Sequence, residues 1–390
     1  MKRLAIVVTH PIQYYAPVFQ ALSRYRDLAV KVFYTWGEGS LQKYDPGFRR
    51  EIRWDIPLLE GYDYVFLKNT SARPGSSHFK GIVNPDARAA INEFDPQAVL
   101  VYGWAYQTHL QLLWAFRRKR KVWFRGDSTL LDETGGWKKL LRAALLGWVY
   151  RHIDLAFYVG TSNRKYFQKF GLTKGKLKFA PHAIDNGRFA APQPQAVRQL
   201  RSDLGIPQNG RLVLFAGKLE PKKDPLALLE AFLTLRNEQA YLLFAGNGVL
   251  EKELKERAMA SPKKEKIRFL AFQNQGQMPR LYQCCQLFCL PSRGPGETWG
   301  LAVNEAMASG RAVLVSDKVG CATDLVREGK NGRVFPAGNV AALGAALEQL
   351  LADAGALRHM GRQSSEIIQS WSFDHQAASI REELLKIQED

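Results

Sequence analysis

Short apolar runs alternate with stretches whose apolar residues recur every three or four positions, the marks of buried strands and amphipathic helices. In the first half the strand-like runs are residues 4–8, 30–34, 98–102, 122–125, 155–159 and 177–180, and residues 15–25 and 109–118 read as helices. Residues 36–80 break this rhythm with Gly, Pro and aromatic residues and read as a long loop with short strands. Residues 181–194, with three prolines, read as a linker. The alternation then restarts, with strands at 212–216, 241–245, 267–271, 287–290 and 312–316. Helices fall at 196–204, 225–235, 249–259, 278–283, 301–309 and 341–352, and a last one covers 372–387. Apolar strands separated by helices predict parallel sheets. Two such series predict an α/β protein of two Rossmann-like domains facing each other across a cleft. They cover residues 1–190 and 191–370, with 371–390 as a helix packing back on the first domain. Ligands of open parallel sheets bind beyond the carboxyl ends of the strands, so chemistry is expected in the loops that follow them.

Composition narrows the class. With 390 residues, 46% hydrophobic and 24% charged, the chain is globular rather than disordered. No run approaches the ~20 apolar residues that cross a bilayer. The apolar opening ends at Thr9, His10 and Pro11, too early for a secretory signal. A cytoplasmic protein, at most peripheral on the inner face of the cytoplasmic membrane, is the expectation. The 55 Lys and Arg outweigh 37 Asp and Glu, giving net +18 and pointing to an anionic partner. Residues 101–182 alone hold 16 Lys and Arg against 4 Asp and Glu. The four cysteines lack metal-ligand spacing and read as reduced and buried.

The most informative run is 290–310. A strand ends at Leu290, a loop with Gly294, Gly296 and Gly300 follows, and a helix opens near Leu301. Such a loop lets backbone N–H groups approach an anion, and the helix start adds positive partial charge. Glu297 and Glu305 bracket it with seven residues between. Beside a phosphate, carboxylates suit sugar hydroxyls, so the pair could grip two polyols on either side of one diphosphate. A capping glutamate plus a solvated helix glutamate would show the same spacing. Upstream, a strand runs into Gly217, with Lys218, Lys222 and Lys223 after it. Lysines there would neutralise a diphosphate, though a solvated loop has the same composition.

These two segments, in this order, resemble glycosyltransferase family 4, the retaining enzymes of the GT-B fold. The Glu297–Glu305 pair with its Glu-Ala-Met-Ala-x-Gly continuation matches that family's E-x7-E signature, and residues 217–223 look like its phosphate-binding element. The resemblance covers most of 180–385; over the first half it rests on layout. It implies that Glu297 holds donor sugar hydroxyls and Glu305 the ribose hydroxyls. Lys218 and Lys223 would bind the diphosphate, Gly217, Gly300 and Leu301 would approach donor phosphate or sugar through backbone, and the base would sit near Phe272. Lys218 stands where the family usually has arginine, keeping charge but losing the bidentate fork.

In the first half, His10, Gln13 and Tyr14 follow the first strand, where the family commonly has paired glycines. They are candidates for the acceptor side of the cleft. Asp127, after the strand at 122–125, could orient an acceptor hydroxyl or simply cap a helix. His109 is a second candidate for the histidine that the family points at the reacting sugar. Residues 117–121 (Arg-Arg-Lys-Arg-Lys) and the tryptophan-flanked stretch 137–148 together suit an anionic membrane surface, or else an ordinary basic face beside a core helix. Nucleic acid is not expected, since no base-reading motif accompanies the charge.

The resulting expectation is a retaining glycosyltransferase. It moves a sugar from a nucleotide-diphosphate donor to a hydroxyl acceptor, a glycan or lipid-linked molecule of cell-surface polysaccharide or glycolipid assembly. No cofactor is expected, and without an Asp-x-Asp no metal. Two other readings stay open: a sugar-nucleotide epimerase or hydrolase of the same fold, and a non-catalytic basic scaffold on membrane or nucleic acid.

Overall fold

The computed structural model describes residues 1–41, 43–45, 50–133 and 137–388, with backbone alone at 43–45, 50, 52 and 137–139. It divides into two compact units. The first is Met1–Lys43, Ile56–His182 and Phe373–Asp390; the second is Tyr44–Asp55 and Ala183–Ser372.

The first unit is built on strands β1 (Lys2–Val8), β2 (Leu28–Tyr34), β3 (Asp63–Phe66), β4 (Ala98–Tyr102), β5 (Lys121–Arg125), β6 (Leu155–Tyr158) and β7 (Leu177–Phe179). They form one sheet in the order β3-β2-β1-β4-β5-β6-β7, every neighbouring pair parallel. Leu4, Ala5, Ile6, Val7 and Val8 are all buried, alternating between the cores on the two faces of the sheet. That is why this strand reads as a continuous apolar run. The strand order reverses between β1 and β4, so a crevice opens between the loops that follow those two strands.

Helix α1 (Ala16–Ser23) packs its Phe19 and Leu22 into one core, together with Ala377, Ile380 and Leu384 of the C-terminal helix Phe373–Leu385. Arg381 of that helix grips the Asp27 carboxylate with two nitrogens, Nε at 3.1 Å to both oxygens. Helix α2 (Gln107–Phe116) and helix α3 (Trp137–Tyr150) contribute Leu112, Leu113, Phe116, Leu146, Val149 and Tyr150 to the other core.

The second unit repeats the plan with β8 (Arg211–Ala216), β9 (Ala240–Ala245), β10 (Ile267–Leu270), β11 (Leu287–Leu290), β12 (Ala312–Ser316) and β13 (Gly332–Phe335). The order is β10-β9-β8-β11-β12-β13, again parallel throughout. Its reversal lies between β8 and β11, so the loops after those strands are neighbours although ~75 residues separate them in sequence.

Three sequence expectations differ from the structure. Asp63–Phe66 is one of the short strands expected in residues 36–80, but β13 (Gly332–Phe335) falls where no strand was expected, because Arg333 interrupts its apolar run and Val334 is exposed. The expected linker contains a helix, Asn186–Ala190, whose start is capped by Asp185 accepting the Arg188 N–H at 2.9 Å. The helix expected to reach residue 118 stops at Phe116, since Arg117 leaves helical ψ and Arg118 takes a φ of +67°.

Candidate functional site

In the second unit the sheet reversal joins the segment after β8 to the segment after β11. The Arg293 N–H donates to the Lys222 carbonyl at 2.9 Å, closing one loop onto the other. The Lys223 ammonium then reaches Glu297 Oε2 at 2.7 Å, and Ser292 Oγ donates to the same oxygen at 3.1 Å. Glu297 is 7% exposed and its pair with Lys223 is largely withdrawn from water. An ion pair so placed costs desolvation, and it persists because a neutral donor also serves the carboxylate.

Gly300 ends the loop with φ +94° and starts helix α4 (Leu301–Ala308) without a side-chain cap. A Cβ there would meet Val319 Cγ1 at 2.9 Å and Leu290 Cδ2 at 3.2 Å, so both conformation and space demand glycine. The start of α4 has no side-chain cap, and a helix start of this kind offers positive partial charge to an anion, here beside the Lys223–Glu297 pair.

Glu305 lies on the second turn of α4, 3% exposed, and its Oε2 accepts the Tyr282 hydroxyl at 2.8 Å. Tyr282 is fully buried, so it holds the carboxylate in one orientation. Sequence reasoning passed over Tyr282, which looks like an ordinary core aromatic. Its signal was only that a buried phenol needs a polar partner.

Around the expected base position, the Phe272 N–H donates to Asn247 Oδ1 at 2.7 Å, and Asn247 Nδ2 donates to Glu251 at 2.9 Å. The half-buried Lys218 and Gly217 follow β8 directly. Lys222 instead lies 3.8 Å from Glu220. Asp224, with φ +49°, lies 3.9 Å from Arg293, and burial raises its carboxyl above the ordinary range. Thus Glu297, Glu305, Gly300, Leu301, Gly217, Lys218, Lys223 and Phe272 all belong to loops or a helix start at the carboxyl edge of this one sheet.

In the first unit, His10, Gln13 and Tyr14 are half-buried in the loop after β1. His10 Nδ1 lies 2.8 Å from Thr9 Oγ1, and its ring meets Trp36 edge-on at 5.3 Å. Asp127 is half-buried just past β5. It belongs to a charged cluster that sequence reasoning missed. Arg125, 2% exposed, donates to the carbonyls of Ala180 and Pro181 at 2.8 and 3.0 Å. Tyr15 stacks on His182 with ring centroids 6.4 Å apart and meets Tyr102 at 4.9 Å. Burial, then the Asp127 charge, raises the Tyr15 phenol. Burial, then the Arg125 charge, lowers His182 to about 4, so it is neutral at pH 7.

His109 is corrected. It is fully buried, its Nδ1 faces the carbonyls of Tyr102 and Gly103 at 3.1 and 3.0 Å, and its Nε2 lies 2.9 Å from Thr35 Oγ1. Burial lowers it to about 4. With Nδ1 donating to carbonyls and Nε2 accepting from the hydroxyl, neither nitrogen is left for a ligand, and His109 is a core residue.

Of the expected membrane segment, Leu140, Leu141, Leu145 and Trp148 are exposed. The side chains of Trp137, Lys138 and Lys139 lie outside the described residues. Among the described residues no single helix is long and apolar enough to cross a membrane.

Residues 197–366, which carry the loops just described, match the family model for glycosyl transferases group 1. This segment belongs to that family. The chain is 28% identical over 228 residues to a D-inositol 3-phosphate glycosyltransferase of Nocardia farcinica, covering 56% of this chain and 49% of the relative. It is 35% identical over 150 residues to a phosphatidyl-myo-inositol mannosyltransferase of Mycobacterium leprae, covering 38% of this chain and 39% of the relative. The chain therefore spans about half or less of the length of these relatives. A solved structure of Anabaena Alr3699/HepE in complex with UDP and glucose matches 99% of this chain and 100% of its own, with TM-score 0.73 and 19% identity. WaaG, a glycosyltransferase involved in lipopolysaccharide biosynthesis, matches 98% and 100% with TM-score 0.68 and 14% identity. At such identity these likenesses speak to the fold alone, which is the α/β GT-B type with two Rossmann-like units.

Proposed function

We propose that this chain is a retaining glycosyltransferase that transfers a sugar from a nucleotide-diphosphate donor to a hydroxyl of a glycan or lipid-linked acceptor. The observation that carries the reading is the Lys223–Glu297 pair beside the uncapped start of α4, with Glu305 one turn further along. A phosphate-neutralising cation and two hydroxyl-accepting carboxylates then flank one anion cradle. The names of the curated relatives, an inositol phosphate glycosyltransferase and a phosphatidylinositol mannosyltransferase, support an acceptor of this kind. The Anabaena complex with UDP and glucose supports the donor class.

In this reading Glu297 accepts hydrogen bonds from the donor sugar, Glu305 from the ribose, and backbone near Phe272 meets the base. The bond from the anomeric carbon to the diphosphate breaks, its electron pair going to the phosphate oxygen. The acceptor oxygen bonds that carbon on the same face, and its proton passes to the departing phosphate. Lys218, Lys223 and the backbone at Gly300 and Leu301 stabilise the charge that builds on the diphosphate, the largest expected contribution. His10, Gln13, Tyr14 and Asp127 orient the acceptor. None of these roles calls on a metal or cofactor. The chain would act at the inner face of the cytoplasmic membrane, through residues 117–121 and 137–148.

Thermal-shift and calorimetric titration with UDP, GDP and ADP, on the native chain and on Glu305→Gln, tests the donor role. Binding of one nucleotide that the substitution weakens supports it; absence of binding by all three removes it. Product stereochemistry by NMR then decides retention.

A further inference from the structure

The outward face of α3 departs from the rule for a surface helix, which turns polar side chains to water. Leu146, Val149 and Tyr150 point into the core. The exposed side holds Leu140, Leu141, Ala144, Leu145 and Trp148, an i, i+1, i+4, i+5, i+8 stripe. Leu140 is 74% exposed, Leu141 62% and Leu145 43%. Trp114 on α2 is 51% exposed, and a run of contacts leads from it to the stripe. The Arg117 guanidinium lies 4.6 Å above the Trp114 ring, its Nη1 is 3.5 Å from His152 Nε2, and His152 meets Trp148 edge-on at 5.2 Å. Burial, then the positive charges of Arg117, Arg151 and Arg118, disfavour a proton on His152, which shows how closely these cations gather there. The same turn carries the exposed Arg118, Lys119 and Lys121.

A large apolar stripe with a cationic rim needs a partner that is greasy inside and negative outside. A nucleic acid satisfies the rim but wastes the leucines. A second copy of this chain satisfies the leucines but brings its own cations against these. We infer that this face is the surface on which the protein lies on an anionic bilayer. Leu140, Leu141, Leu145, Trp148 and Trp114 enter the boundary between headgroups and acyl chains, and Arg117, Arg118, Lys119, Lys121 and Arg151 meet lipid phosphates. The apolar part of α3, Leu140–Tyr150, is too short to span, so it lies in the plane of the surface. The inference deepens the proposed function, giving a transferase direct access to a lipid-linked acceptor, yet its own test uses no nucleotide.

The test is cosedimentation of the full chain with phosphatidylcholine vesicles, with and without 40% phosphatidylglycerol, for the native chain, for Leu141→Asp/Leu145→Asp and for Arg118→Gln/Lys119→Gln. Binding to the anionic vesicles only, weakened about tenfold or more by the leucine pair and several-fold by the charge pair, is the expected result. Equal binding by the leucine variant overturns the inference, as does binding to neutral vesicles alone. If the leucine pair instead turns a dimer into a monomer in light scattering, a second copy covers the stripe and the bilayer assignment is wrong. A retained melting temperature shows that the variants fold. Loss of nucleotide binding with vesicle binding intact would fault the proposed function and leave this inference standing.

Discussion

The Lys223 ammonium donates to the Glu297 carboxylate over 2.7 Å, joining two loops that lie 74 residues apart in sequence. One cation thereby serves a buried acid and stands at the start of α4, where an anion is best received. Replacing Lys223 with Ala strips Glu297 of its counter-charge and should cost about 1–3 kcal/mol of stability in urea denaturation. It should also lower turnover about a hundredfold or more, as loss of charge stabilisation at a leaving group does. Lys223→Arg should recover most of the stability and part of the turnover. Undiminished turnover in Lys223→Ala would sink the diphosphate assignment.

Glu305 and Tyr282 make a contrasting pair. Glu305→Gln keeps an oxygen for the Tyr282 hydroxyl, so the melting temperature should move little while nucleotide affinity drops by about 1–3 kcal/mol. Tyr282→Phe keeps the charge but frees the carboxylate to turn, and is expected to raise KM for donor more than it lowers kcat. Titration calorimetry on the first variant and steady-state kinetics on the second check these outcomes.

Gly300 admits no side chain without strain. Gly300→Ala should destabilise the second unit by about 1–3 kcal/mol and weaken nucleotide binding together with it, because the same backbone sets the start of α4. An alanine variant with native melting and native affinity would mean that the loop relaxes freely.

Acid should loosen the first unit through His109. Burial lowers it from an ordinary value near 6.5 to about 4, so the folded state prefers the neutral ring. The associated stability is fully present above pH 6.5 and is lost as pH falls from there toward 4. Chemical denaturation at pH 7 and pH 5 should show about 2 kcal/mol lost at the lower pH from this residue. His182, lowered to about 4 by burial and then by Arg125, adds to the loss in the same window. His109→Gln should flatten part of that slope; an unchanged slope would mean that other groups carry it.

The second unit was more legible in the sequence than the first. Its strands β8, β9, β11 and β12 are largely buried on both faces and so appear as uninterrupted apolar runs, and the loop with Glu297, Gly300 and Glu305 is a contiguous segment. Lys223 could be suspected from its place after β8, but its bond to Glu297 depends on β8 and β11 being neighbours, which only the sheet order decides. The polar helix Thr161–Lys169 was not delimited because its burial is partial and its apolar residues are too few for a period to emerge. The cluster of Tyr15, Tyr102, Arg125 and His182 was illegible for another reason. Each member looks like routine core or loop material, and only folding assembles four separate chain segments around Asp127.

The C-terminal helix settles on α1 and is clasped through Asp27, near the opposite end of the chain. During vectorial synthesis the ribosome must therefore emit residues 183–372 before the piece that closes over Phe19 and Leu22 becomes available. The nascent opening half waits with an unsealed greasy seam, and a chaperone that shields such seams would have its longest task here.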